Sequence, residues 1–415
     1  MSSCLVHTRD AVSNRPKYEL AEILKRYLPT YLETHRISLW QHKILFHIQS
    51  CRTLACGGHI EVCDHCDYHR PAYNSCHDRH CPKCMGIARR RWVAARLREL
   101  LPVPYYHVVF TLPHRLNDLA LYNKQIIYNL FYRAAAYTLL KFGNDPKYLG
   151  AWLGFIGVLH TWGKELCYHI HWHFIIPGGG LTPEGKWLHL PYSDKFLFPP
   201  KAMSKVIRAR FIKLLRQAYN KGQLIIPDSC EALTSPVMFE YFLNDVASDK
   251  WINHVKRPFG GAEQVVKYIG RYTHRVALSN NRLIDINGGC IRFYGKNYKK
   301  DGIIEKFELP ANEFIRRFLL HTLPRRFKKM RYGGFLSPAI RHEKLAEIRQ
   351  SLGHEVCDAL TDSIAVNGIS DNLELTDWEK DGIGKCPQCN IGTLIAKDIE
   401  RDFMRHNWLA YLNSS

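Results

Sequence analysis

Three stretches carry the two-residue alternation or the β-branched and aromatic richness of strands: YYHVVFTLP (105–113), FIGVLHTW (155–162) and HIHWHFII (169–176). A helical period fills 118–141 between the first two, and KAMSKVIRARFIKLLRQAY (201–219) is an amphipathic helix. Residues 18–50 read as helical with a break at Pro29, and RRRWVAARLREL (89–100) begins another helix. WINHVK (251–256) reads as a short strand. After it, Pro258, Gly260 and Gly261 mark a turn, and a helix follows from about Ala262 to His274. RLIDINGGCIRFYG (282–295) has the alternation and Asn-Gly-Gly turn of a hairpin, and HEKLAEIRQSLG (342–353) is helical. Residues 355–380 are acidic and show no clear period, and the chain has no internal repeat or low-complexity tract. This mixture predicts an α+β fold.

Composition narrows the partners. The 415 residues suffice for two or three domains, and 46% hydrophobic and 12% aromatic residues describe a folded chain. A formal charge of +20 favours a polyanion, with nucleic acid first and an acidic membrane surface second. No run of eighteen apolar residues exists and the start, MSSCLVHTRD, lacks the regions of a signal peptide, so an intracellular protein without a membrane partner is expected. In a reducing compartment the 14 cysteines are metal ligands or free thiols rather than disulfides.

Seven of those cysteines lie between Cys51 and Cys84. Cys63 and Cys66 form one CxxC and Cys81 and Cys84 another, the arrangement in which two knuckles close one tetrahedral zinc site. A redox dithiol is the alternative, but such a CxxC stands singly in a βαβ pattern. Cys51, Cys56, His59, Cys76, His77 and His80 also have ligand chemistry, which leaves a second zinc open. The distant pair Cys386 and Cys389 is half a knuckle, with His354, Cys357 or His406 as candidate partners.

His169, His171 and His173 alternate along 169–176, so a strand aims all three at one face. Neutral imidazoles grouped in this way suit a divalent cation that keeps positions open for substrate, whereas a row of packed histidines would leave that face unexplained. Tyr268 and Tyr272, four apart in the 262–274 helix, share a face. Two tyrosines at that spacing are more often core, but Gln264, Lys267, Arg271, His274 and Arg275 surround these with polar and cationic groups, and phenols there could attack phosphate. Gly180, Gly185 and Lys186 spell GxxxxGK, yet Trp187 stands where a phosphate loop needs Ser or Thr and no helix follows, so Gly178–Gly180 are expected to form a turn beside the metal instead. Two basic tracts complete the picture. Arg89, Arg90 and Arg91 start a helix beside the cysteines, and Arg316, Arg317, Arg325, Arg326, Lys328, Lys329 and Arg331 alternate with Phe318, Phe327 and Tyr332, a mixture suited to single-stranded DNA or to a solvated helix face.

Five motifs in order, NSCHDRHCPKC, YYHVVFTLPHRL, HIHWHFIIPGGG, FGGAEQVVKYIGRYTHRVALSNNRL and EFIRRFLLHTLPRRFKKMRYGGFL, make residues 39–336 resemble the two-tyrosine HUH transposases of the insertion-sequence-ninety-one type. The resemblance implies an HUH-type central antiparallel sheet flanked by helices (101–336), preceded by N-terminal helices and a zinc-binding module (1–100) and followed by an accessory region (337–415), with the basic extension helical. It implies that His171 and His173 hold the catalytic Mg²⁺ or Mn²⁺, with His169 favoured over Gln264 as third ligand, and that Tyr268 and Tyr272 are the nucleophiles. Zn²⁺ would be structural, on Cys63, Cys66, Cys81 and Cys84 with Cys51, Cys76 and His80 as further candidates. The Arg and Lys tracts, with Lys267 and Arg271, would meet DNA. Ile170 stands where the family often has proline, which leaves the role of His169 open.

The activity implied is cutting and rejoining of single-stranded DNA at insertion-sequence ends through a 5′-phosphotyrosine. That ester keeps the phosphodiester energy, so no nucleotide cofactor is needed. Partners would be single-stranded ends and target DNA, self-association is allowed, and the setting would be the bacterial cytoplasm at the nucleoid. The alternative is a zinc-dependent DNA-binding regulator without nuclease activity. A histidine-site oxygenase lacks a carboxylate partner near the strand and leaves the charge unexplained.

Overall fold

The computed structural model describes residues 16–84, 86–190, 197–251, 253–256, 277–297, 303–353 and 386–398, together with Gly270. In chain order the strands are β1 (Gly58–Cys63), β2 (His69–Tyr73), β3 (Tyr105–Thr111), β4 (Gly154–Trp162), β5 (Tyr168–Pro177), β6 (Gly179–Leu181), β7 (Trp187–His189), β8 (Asn253–Lys256), β9 (Leu283–Asp285), β10 (Cys290–Asn297), β11 (Ile303–Pro310), β12 (Met330–Gly334) and β13 (Leu394–Asp398). The architecture is α+β, with antiparallel sheets and flanking helices.

Two compact units interleave along the chain: Met1–Cys84, Leu278–Glu313 and Ile369–Ser415 form one, and Met85–Ala277 and Phe314–Gly368 the other. They are not the contiguous blocks that motif order suggests, because strand pairing joins segments far apart in sequence.

The second unit is built on the sheet β12-β4-β5-β3-β8, every pairing antiparallel, with β5 at its centre. Along β5 the even positions Ile170, Trp172, Phe174 and Ile176 are buried and the odd positions 169, 171 and 173 are half-buried. The even face packs into a core with helices Lys124–Asn144 and Pro200–Asn220, through Phe131, Ala135, Phe211 and Leu215 among others. On the opposite face a second cluster forms from Tyr105, Ile156, Val158 and Ile175, with Leu345 and Ile348 from helix Arg341–Ser351. Residues 341–351 therefore belong to the central unit rather than to a separate accessory region. The histidines occupy the other end of that face.

Two expectations about this unit change. The basic tract after residue 311 is only partly helical. Helix Ala311–Leu320 ends in a turn, and Met330–Gly334 then forms β12, which pairs with β4 so that Arg331 lies opposite Gly157. The glycines after β5 are not a turn beside the histidines. Gly179 and Gly180 enter β6, which pairs with β7 around a turn closed by Gly185 N–H donating to the Thr182 carbonyl at 3.0 Å. At about 3.3 Å of rise per residue, Gly178 is some 16 Å along the strand from His173.

In the first unit, helix Leu20–Thr34 runs through Pro29, and the break falls at residues 35–38. The buried face of Leu20, Ile23, Leu24, Leu28 and Tyr31 and a capping box at Glu19 and Glu22 hold the helix despite the missing N–H. Helix Leu39–Ser50 starts on Ser38, whose side chain accepts from the Gln41 N–H. β9, β10 and β11 make one meander, with Gly288 and Gly289 at φ of 64° and 74° in the predicted hairpin turn. β2, β1 and β13 make another three-stranded sheet.

Candidate active site and metal centres

The histidine site is made by strand register. His160 of β4 pairs with His171 of β5, and Val158 pairs with His173, so His160, His171 and His173 project from one face. One nitrogen from each lies within 4.8 Å of the others, which is the spacing of ligands around one ion. The centroid of the His160 ring is 4.3 Å from that of His173, and His171 and His173 are 4.8 Å apart.

Neighbours orient these rings. The His171 Nδ1–H donates to the His169 carbonyl at 2.9 Å, which sets its tautomer and reserves Nε2 for a cation. His173 Nδ1 lies 2.8 Å from Nε2 of buried His107 on β3, and the two rings stack. Burial, with His169 nearby, pulls the His171 pKa down to about 3, and burial with His160 and His171 holds His173 well below 6.5. Neutral imidazoles are the form that binds metal.

His169 is not in this trio. It stacks on His114, and burial next to that ring lowers its pKa to about 4. His160, not the expected His169, completes the trio; it comes from the neighbouring strand, which alternation within one strand cannot reveal. Its only trace in the sequence is a lone histidine in an otherwise apolar strand (FIGVLHTW). Gln264, Lys267, Tyr268, Arg271 and Tyr272 lie outside the described residues. Between the tyrosines, Gly270 is helical and so close to Val93 that a Cβ would come within 2.2 Å of its side chain.

Among the described cationic candidates, Lys329 lies beside the trio: its amine sits 4.8 Å over the Trp162 ring, which stacks on His160, and its charge helps depress His173. Arg331 is half-buried between the rings of Tyr132 and Phe327 and donates to Asn129 Oδ1, which makes it a packing residue of the sheet edge. Arg317 donates to the Glu165 carbonyl in the β4–β5 connection at 2.8 Å. Arg91, Arg316, Arg325, Arg326 and Lys328 are exposed and Arg89 is half-buried, while the side chain of Arg90 lies outside the described residues.

The cysteines regroup. The two CxxC pairs of residues 63–84 do not close on each other. Cys81 and Cys84 meet Cys51 and Cys76, whereas Cys63 and Cys66 meet Cys386 and Cys389. Cys76 and Cys84 sulfurs are 3.6 Å apart. Four sulfurs at about 2.3 Å from one zinc stand about 3.8 Å apart, so this spacing fits an edge of the tetrahedron and is far too long for a disulfide. His80 is buried but stands outside the quartet, in which Cys51 takes the fourth place; its Nδ1–H donates to Asp78 at 2.8 Å, and Asp78 also binds His47. Burial pushes the Asp78 carboxyl up, but hydrogen bonds from His47 and His80 outweigh it and hold it below the usual range.

Comparison with known proteins supplies the family. A family described as "Transposase zinc-binding domain" matches residues 23–112, and one described as "Putative transposase" matches 154–344. The chain is 41% identical to "Putative transposase y4qJ" of Sinorhizobium fredii over 92% of its own length and 95% of that protein. It is 28% identical to the transposase for insertion sequence element IS801 of Pseudomonas savastanoi pv. phaseolicola, over 72% of this chain and 68% of that one. No solved structure matches. A DNA-processing protein with a zinc-binding domain is thereby defined. The chain belongs to the transposases of the insertion-sequence-ninety-one type. Among the described residues no helix is long and apolar enough to cross a membrane.

Proposed function

We propose that the chain cuts and rejoins single-stranded DNA at insertion-sequence ends, using Tyr268 and Tyr272 as nucleophiles beside a Mg²⁺ or Mn²⁺ site formed by His160, His171 and His173. The observation that carries the reading is the convergence of three imidazole nitrogens within 4.8 Å on the half-exposed face of a central sheet, in a member of a transposase family. A bound Mg²⁺ or Mn²⁺ would polarise a non-bridging phosphate oxygen and stabilise the charge that builds in the transition state.

The protein's own groups do the rest. Burial keeps His171 and His173 neutral, and the His169 carbonyl holds His171 in the tautomer that presents Nε2. A phenol Oη attacks phosphorus, the Oη–P bond forms as the P–O3′ bond breaks, and the phenol proton is lost while the leaving 3′ oxygen gains one. The 5′ end is then held as an aryl phosphodiester. Attack by a 3′ hydroxyl reverses the exchange without a nucleotide cofactor. Two phenols let one hold a cut end while the other opens a second site.

The test is incubation of end-labelled single-stranded terminal DNA with wild type, Tyr268→Phe, Tyr272→Phe and the double variant, in Mg²⁺, Mn²⁺ or chelator. Label should remain on the protein through a denaturing gel, require metal, and vanish in the double variant. Tight binding of the same DNA without any adduct in either metal would overturn the reading in favour of a DNA-binding regulator.

A further inference from the structure

Within 51–84, every apolar side chain that is buried is a cysteine: Cys51, Cys56, Cys63, Cys81 and Cys84. β1 and β2 have almost no buried face, and Ile60 and Tyr73 are exposed. A three-stranded sheet with so little apolar core needs another source of stability. The Cys51–Cys84 quartet lies wholly within the matched zinc-binding domain, 23–112, but the other quartet does not.

We propose that Cys63, Cys66, Cys386 and Cys389 form a second structural zinc site, which clasps the segment 386–398 to the N-terminal module as the third strand of its sheet. The Cys63 and Cys389 sulfurs are 3.7 Å apart and those of Cys66 and Cys386 3.6 Å, both matching the tetrahedral edge of about 3.8 Å. Each CxxC turn aims a backbone N–H at sulfur, from His65 to Cys63 at 3.4 Å and from Gly392 to Cys389 at 3.3 Å, the kind of bond that favours a thiolate.

The backbone around the sulfurs is fitted to this pairing. β13 runs antiparallel to β1 with Cys63 opposite Leu394. Next to it, Asp64 N–H donates to the Thr393 carbonyl at 3.1 Å and Asp64 Oδ1 accepts from the Thr393 N–H at 2.7 Å. Gly392 is required at its place, since a Cβ there would lie 2.4 Å from the Cys63 sulfur. More than 300 residues separate the two halves of the site, so closing it joins the far end of the chain to the front, where a long loop gives a cross-link the largest entropic effect.

The test uses the full-length chain purified in zinc. Wild type should carry about two zinc ions and the Cys386→Ser, Cys389→Ser double variant about one. In that variant Cys63 and Cys66 should become reactive to alkylation while Cys51, Cys76, Cys81 and Cys84 stay protected. If the variant does not fold, wild type alone decides: mass-spectrometric footprinting should find Cys63, Cys66, Cys386 and Cys389 protected together and released together by a chelator. One zinc in wild type with Cys386 and Cys389 freely alkylated, or two zincs in the double variant, would overturn the proposal. None of these readouts depends on DNA cleavage.

Discussion

The histidine trio and the cysteine quartets are both candidate metal centres, but they stand in opposite relation to the fold. The trio rides on a sheet whose other face is packed against long helices, so its geometry is held by hydrogen-bond ladders and by the core beneath. Cys63, Cys66, Cys386 and Cys389 sit at strands with almost no core, and across residues 51–84 the cysteines are the buried apolar side chains. A metal on the first would rest on a scaffold that is already held in place, whereas a metal on the second would make up for the missing core.

Metal removal should therefore separate the two regions. A strong thiol-competing chelator should abolish protease resistance in β1, β2 and β13, because structural zinc contributes on the order of 10 kcal/mol to such modules, while the melting transition of the central sheet stays in place. Joint loss of both would break the comparison. His171→Ala should lower DNA-linked adduct formation by a factor on the order of 10² to 10³ at unchanged zinc content, with global stability altered by about 1 kcal/mol or less.

Acid sharpens the same contrast. His321 is fully buried, with its ring nitrogens bonded to Thr161 and to the Leu166 carbonyl, and burial pulls its pKa down to about 3. Its folded value lies below its unfolded value near 6.5, so its contribution is present in full above 6.5 and is lost as pH falls toward 3. At pH 5 the central unit should have lost about 2 kcal/mol from this group alone, measurable as a lower urea midpoint than at pH 7. The smallest effect belongs to the exposed cations. Arg325→Ala should weaken DNA binding uniformly across sequences and reduce the salt slope by roughly 1, while Arg331→Ala, which removes packing between rings, should show mainly in stability.

Most of the central unit was legible because its signals are local. Alternation in 169–176 gave the face on which His171 and His173 stand, and the periods of 118–141 and 201–219 gave the covering helices. Pro29 misled because propensity yields to a buried helical face. The third histidine of the trio and the grouping of the cysteines escape the sequence for one reason. The neighbours lie far off in the chain: His160 on another strand joins His171 and His173 in place of His169, and Cys386 and Cys389 join Cys63 and Cys66 in place of Cys81 and Cys84.

By itself the sequence determined the ligand types, the CxxC spacings, the imidazole row and the family likeness, all properties of residues within a few positions of one another. Only the tertiary structure decided which histidine joins the trio, which cysteines share a cluster, and that β12 and β13 complete sheets begun far upstream. Strand pairing is set by ladder register and burial between segments hundreds of residues apart, and no short-range period records it.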